Sequence, residues 1–393
     1  MTTHNWAKLA LDHAQFLSEQ IGPRGATTPE EKRAAEYARD QLRQSGMSDA
    51  QVEAFRSPRS GWLPLTIVFS LAVWGAILCW GSFYLTRAPA IGALIGAALC
   101  AFSAWTIYRI ATYSQHPLRQ WLSTATSYTA VGRIAAIEAA RQHVVLVANL
   151  DTFPANQVFR TPRRTRLFYG VLRLAAASLL ISIVLYLLGA LEAWGFAFVS
   201  AGLCGIVQSA GLLLTIQADQ GEFSAGANDN ASGAGVVLAL AQQLCEAPLR
   251  QTEVWIVCAG SHTLDGGGLR WFMHQQPELA KTAWFIGCQQ VGRGDQVAYV
   301  KREGWLPRSI RAEVRDLIAR AATDQPEQQP RPIVTLRATP IGAPLWRGYK
   351  SLCVVVEDRV RESEVDEAAA RLQLAAVQQA HQYVGLLLKT IDG

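Results

Sequence analysis

The residues of this chain that could do chemistry lie at four polar junctions. Asn149-Leu150-Asp151-Thr152 closes an apolar run, His143 to Ala148, that reads as a strand. Gly226-Ala227-Asn228-Asp229-Asn230-Ala231-Ser232-Gly233 leads into a helix over Ala234 to Cys245. Gly260-Ser261-His262 ends a buried strand, Glu253 to Ala259, and Gln289-Gln290 ends another, Thr282 to Cys288. Polar residues at the C-terminal ends of strands are where open α/β sheets present ligands. Asp151 and Asp229 supply carboxylates, and His262 is an imidazole able to act as a base near neutral pH. Asp229 and Asn230 are equally good caps for the helix that follows.

Other signals carry less. Asp265-Gly266-Gly267-Gly268 has the glycines of a phosphate cradle but no Lys-Ser/Thr after it, so it reads as a strand-to-helix turn. Seven cysteines, an odd number without any Cys-x-x-Cys, argue against a disulfide framework or a structural zinc and for buried reduced thiols. The net charge of +5 comes with no nucleic-acid motif, and no nucleic-acid partner is expected.

The strands and helices that must position these junctions are interrupted. Half of the 393 residues are hydrophobic and 17% are charged, and the apolar excess is concentrated. No charged residue occurs between Arg59 and Arg87 or between Arg87 and Arg109. A third run, Leu167 to Leu191, is interrupted only by Arg173 near its start, and a fourth extends from Ala193 to Ala218. Each is about the 20 residues needed to cross a bilayer. The first starts too late and runs too long for a cleaved signal peptide. Very short turns, Thr86-Arg87-Ala88 and the residues around Glu192, make two hairpins, 60–110 and 167–218. The remaining pieces, 1–58, 111–165 and 219–393, are expected to form one discontinuous domain on one side of the membrane. Arg56, Arg59, Arg109, Arg119, Arg160, Arg163, Arg164, Arg166 and Arg173 flank that side, against Arg87 at a tip. Positive flanks stay cytoplasmic, so the expected location is an inner or plasma membrane with the soluble domain in the cytoplasm. The spans lack deep charges, which disfavours a transporter or proton relay.

In the soluble pieces, Ala7 to Ile21 and Thr28 to Ser45 have helical spacing, the second opening with Thr28-Pro29-Glu30-Glu31. Gln51 to Phe55, Tyr128 to Ile137 and Tyr349 to Val356 add strands, Gly268 to His274 and Val365 to Lys389 add helices, and Gln325 to Pro332 reads as a surface loop. Alternating strands and helices predict an α/β fold with a mainly parallel or mixed sheet covered on both faces.

Four blocks, in order, resemble the co-catalytic zinc aminopeptidases, peptidase family M28: IGPRGATTPEEKRAAEYARDQLRQSGM with VEAF, VVLVANLDT, GANDNASGAGVVLALAQQL, and WIVCAGSHTLDGGGLRWF. The resemblance covers essentially all of the soluble sequence. The resemblance implies a peptidase-like sheet and, in the family, two zinc ions held by five ligands with a glutamate base. Carried over, the first histidine ligand falls on Asn149 and its orienting aspartate is kept as Asp151. The bridging aspartate is kept as Asp229. The base falls on His262, the glutamate ligand on Thr263 and the later aspartate ligand on Gln289. The last histidine should stand near Val356 or Glu357, where none occurs, and His381 reads as structural. Asn, Thr and Gln are poor zinc ligands, and catalytic zinc needs three protein donors. No intact catalytic or metal site and no cofactor is therefore expected. The expectation is a pseudopeptidase in the lipid bilayer that binds a peptide or a membrane-protein partner. The alternatives are a metal-dependent peptidase with a rearranged site around Asp151, Asp229 and His262, or an accessory subunit of a membrane complex.

Overall fold

Short apolar runs alternating with amphipathic ones require a sheet flanked by helices, and the computed structural model has that architecture. It describes residues 5–85, 89–159, 161–192, 195–357 and 367–393. The expected turn Thr86-Arg87-Ala88, the flanking Arg160, and Ala193 and Val365, the expected starts of the fourth run and of the last helix, lie outside the described residues; the last helix begins at Leu374, later than expected.

In chain order come α1 (Trp6–Gln15), α2 (Pro29–Gln44), β1 (Gln51–Ser57), α3 (Leu63–Leu85), α4 (Pro89–Ala111) and α5 (Pro117–Leu122). Next are β2 (Ala125–Ile134), β3 (Gln142–Asn149), α6 (Pro162–Glu192), α7 (Gly195–Ala218), α8 (Gly233–Glu246) and β4 (Thr252–Ala259). Then follow α9 (Gly267–Gln275), α10 (Pro277–Thr282), β5 (Trp284–Cys288), β6 (Gln296–Glu303) and β7 (Arg308–Ser309). The chain ends with α11 (Ala312–Asp324), β8 (Arg331–Thr335), α12 (Gly342–Trp346), β9 (Lys350–Glu357) and α13 (Leu374–Asp392). Two compact units result: Met1–Arg59 with Leu122–Phe153 and Phe223–Gly393, and Ser60–Trp121 with Pro154–Glu222.

The first unit holds a nine-stranded mixed sheet in the order β1-β2-β4-β3-β5-β9-β6-β7, with β8 paired to β6. Its centre, β4-β3-β5-β9, is parallel. β1, β2 and β6 join antiparallel. Val144 to Ala148 of β3 are fully buried, as strands covered on both faces must be. Capping sets the helix starts: Asn5 accepts from Lys8 N, and Thr28 Oγ1 accepts from Glu31 N at 3.3 Å ahead of Pro29. A π-helical turn, Phe16–Ile21, prolongs α1 to its stop at Gly22. Helices α1 and α8 approach closely because Gly235 has no side chain; a Cβ there would sit 2.1 Å from Ala10 O.

The structure corrects the sequence reading in places. Thr282 ends a short helix begun by Pro277 rather than opening a strand. Gln325 to Pro332 is not wholly a loop: Arg331 and Pro332 begin β8, an edge strand where a proline is tolerated. Elements β6, β7 and α11 had no expectation attached to them.

Ser57 pairs with Ala125 in the β1–β2 ladder, and Ser224 N donates to Phe153 O at 3.0 Å. The two departures of the chain from the α/β unit thus begin and end side by side.

In the second unit α3, α4, α6 and α7 are each long and apolar enough to cross a membrane. Trp74, Leu85, Ile91, Leu180, Leu203 and Leu213 face outward, which suits a lipid solvent. Small residues bring backbones together inside: a Cβ on Gly75 would lie 3.2 Å from Gly96 Cα. Polar groups bond across helices, Ser103 Oγ to Val68 O (2.8 Å) and Gln208 Nε2 to Ser182 Oγ (2.9 Å) inside, and Trp80 Nε1 to Phe198 O (2.7 Å) nearer the surface.

Candidate functional site

The parallel strands β3, β4 and β5 end together, with Asn149 opposite Ala259 in register. The polar junctions after them therefore converge. Asp151, fully buried, accepts from His262 N (2.8 Å), Thr263 N (2.8 Å) and Thr263 Oγ1 (2.6 Å). The aspartate that would orient a metal ligand instead fixes the turn after β4. Asn149 donates to Asp151 O (3.1 Å), and its Oδ1 accepts from Asn230 Nδ2 (2.8 Å). Asn230 also donates to Cys288 O and accepts from Gln290 N, which ties the approach to α8 to the end of β5.

Asp229 is 5% exposed and is not a helix cap, since α8 follows Ser232 without a side-chain cap. Its carboxylate accepts from Gln289 Nε2 (3.2 Å) and Gln290 Nε2 (3.0 Å), and Arg337 Nη1 lies 3.6 Å away. Its own backbone N–H and that of Asn228 donate to Glu367 Oε2 at 3.0 and 2.6 Å. Burial first, then the charge of Asp229, raises the Glu367 carboxyl to about 7.

His262 is 2% exposed, and its Nε2 is buried without a hydrogen-bond partner. Burial lowers its pKa, against Asp151, Asp229 and the Ala338 backbone, which favour the imidazolium. A neutral imidazole with an open nitrogen is a base by chemistry. Glu357, at the end of β9, lies 3.4 Å from Arg331. His381 is buried in α13, with its pKa lowered to about 4 by burial.

Sequence reasoning missed the groups that hold these loops. Arg24, fully buried, donates to the carbonyls of Leu17, Gly22, Leu150, Ala225 and Gly226, so one guanidinium joins the loops carrying Asp151 and Asp229. Glu31, also fully buried, accepts from Ser261 N (2.6 Å), Thr27 N (2.8 Å) and Ser127 Oγ (2.9 Å). Burial and then the charge of Asp151 raise it to about 8. Arg24 and Glu31 belong to the first resemblance block, which was the only signal pointing at them. Gln290 and Arg337 had none.

The donor set does not fit two zinc ions. Of the family ligand positions only Asp229 keeps a charged donor, and its oxygens face two amide N–H groups and a guanidinium. Among the described residues no group of three His, Cys, Asp or Glu could hold a metal ion.

Residues 210–335 match the model of peptidase family M28. No curated protein sequence matches the chain. Among solved structures, a zinc aminopeptidase from Bacillus subtilis is similar at 14% identity and a TM-score of 0.54, covering 97% of this chain and 94% of that one. An aminopeptidase from Aneurinibacillus sp. strain AM-1 is similar at 11% identity and 0.56, covering 97% and 93%. A glutaminyl cyclase from an Acidobacteriales bacterium is similar at 10% and 0.54, covering 98% and 94%. At such identities the likeness speaks for the fold. The segment 210–335 is thus similar to peptidase family M28, and the fold of the chain is that of the zinc aminopeptidases.

Proposed function

We propose that the chain is a membrane-anchored pseudopeptidase that uses the ancestral cleft to bind a peptide or a membrane-protein partner rather than to hydrolyse one. The observation that carries this reading is the Asp229 carboxylate, engaged by Gln289, Gln290 and Arg337. The protein's own cation balances the one charged donor left, so a dication would have to displace it. The four apolar helices anchor the chain in the bilayer, and the arginine-rich flanks favour a cytoplasmic α/β unit. Metal analysis of the detergent-solubilised chain should find zinc far below one per molecule. One or more zinc ions per chain, with an aminopeptidase activity abolished by Asp229→Ala, would overturn the proposal.

A second reading has one observation in its favour. His262 Nε2, buried and unpartnered near Asp151 and Asp229, has the makings of a general base. A hydrolase with a rearranged site would lose activity in His262→Gln while keeping its fold.

A further inference from the structure

Arg270 stands on α9 and is 4% exposed. Its Nη1 donates to Asp265 Oδ2. Its Nε and Nη2 are buried and have no hydrogen-bond partner. A guanidinium has only donors, set in a planar fork, and a buried charged donor without an acceptor is costly. A second cation approaches the same helix face. Arg347 follows α12, and its Nη1 lies 3.7 Å from the Sδ of Met273, a weak acceptor. Met273 is three residues beyond Arg270, hence beside it on the face of α9. The Arg347 guanidinium has its pKa lowered by burial and then by the charge of Arg270. Two guanidiniums thus meet over one helix face where the neighbouring carboxylate, Asp265, already bonds one edge of Arg270.

We propose that Arg270 and Arg347 bind a small soluble oxyanion, phosphate or carboxylate, between the 261–266 turn and α12. The open Nε–Nη2 edge of Arg270 matches two oxygens of such an anion, the bidentate geometry in which arginine excels. Arg347, more exposed, closes the site from the solvent side.

The test is calorimetric titration of the full-length chain in a non-ionic detergent with sodium phosphate and, separately, sodium acetate, at constant ionic strength set with chloride. The expected result is saturable binding of at least one anion, weakened at least tenfold in Arg347→Gln. Preference for phosphate or for acetate identifies which oxyanion the site takes. Arg347 is the more exposed of the two, so its variant is the less disruptive where Arg270→Gln can lose the fold. Absence of binding by both anions, or equal affinity in Arg347→Gln, overturns the proposal.

Discussion

Glu31→Gln probes the buried carboxyl that shares the base of the cleft with Asp151. Glu31 is fully buried and its pKa is raised from 4.5 to about 8. Between those values the folded chain holds a proton that the unfolded chain has released. The stabilisation is complete below about pH 4.5 and is lost as pH rises through about 8, at about 1.4 kcal/mol per pH unit. Raising the pH from about 5 to about 7 should therefore remove roughly 3 kcal/mol. At about 2–4 °C per kcal/mol, the unfolding midpoint falls by about 6–12 °C. Gln cannot ionise, so its variant lacks this slope. Its amide must turn an N–H toward either Thr27 N or Ser261 N, both donors to the native carboxyl, at a cost of about 1–3 kcal/mol. The variant should be less stable than the parent at pH 5 and should match or exceed it near pH 8. Thermal unfolding followed by tryptophan fluorescence across pH 5–8 measures both curves. Glu367 titrates in the same direction in both proteins, so the difference between the curves isolates Glu31. Parallel curves would refute the reasoning.

Arg24→Met should lower stability by at least about 3 kcal/mol, because it strips a charged donor from five buried or part-buried carbonyls. Arg24→Lys should recover little of it, since one ammonium cannot span that fan; denaturant titration of both variants is the check, and parental midpoints would contradict it. His381→Gln should flatten the acid side of the stability profile. The His381 pKa is depressed to about 4, so folding loses stability as pH falls below about 6.5 and the unfolded chain takes up the proton. Thermal midpoints between pH 4 and 6.5 would show the same fall in both proteins if the assignment is wrong. Gly92→Val should loosen the helical unit, because a Cβ there meets Ser82 Oγ at 2.1 Å and Leu78 O at 2.6 Å; helix melting by circular dichroism in detergent should begin at lower temperature.

The elements that declared themselves in the sequence were those whose burial is written in their own residues. VVLVAN read as a strand and proved to be one buried on both faces, and GANDNASG read as the lead-in to a helix that packs tightly. The four apolar runs matched the four long helices for the same reason. Arg331 and Pro332 were read into a loop because a polar, proline-bearing edge strand looks like one until its partner β6 is known. Buried charge was the least legible feature. Glu31 is marked locally as the third residue after the capping Thr28, but nothing local marks it for full burial and Glu30 for a partly exposed position. Arg24 finds its acceptors more than a hundred residues away at Leu150 and Ala225, and Arg337 meets Asp229 across a similar separation. The convergence of Asn149, Asp151, Asp229 and Gln289 followed from strand order, but what Asp229 would hold did not.

The ladder pair Ser57–Ala125 and the hydrogen bond between Ser224 and Phe153 make each long departure, from the standpoint of the sheet, no more demanding than a surface loop. Closing a loop costs free energy only as the logarithm of its length. A tight turn could bridge either gap without moving a strand, so the sheet's register owes nothing to the long apolar excursions, and such insertions can be gained or lost while the cleft keeps its shape.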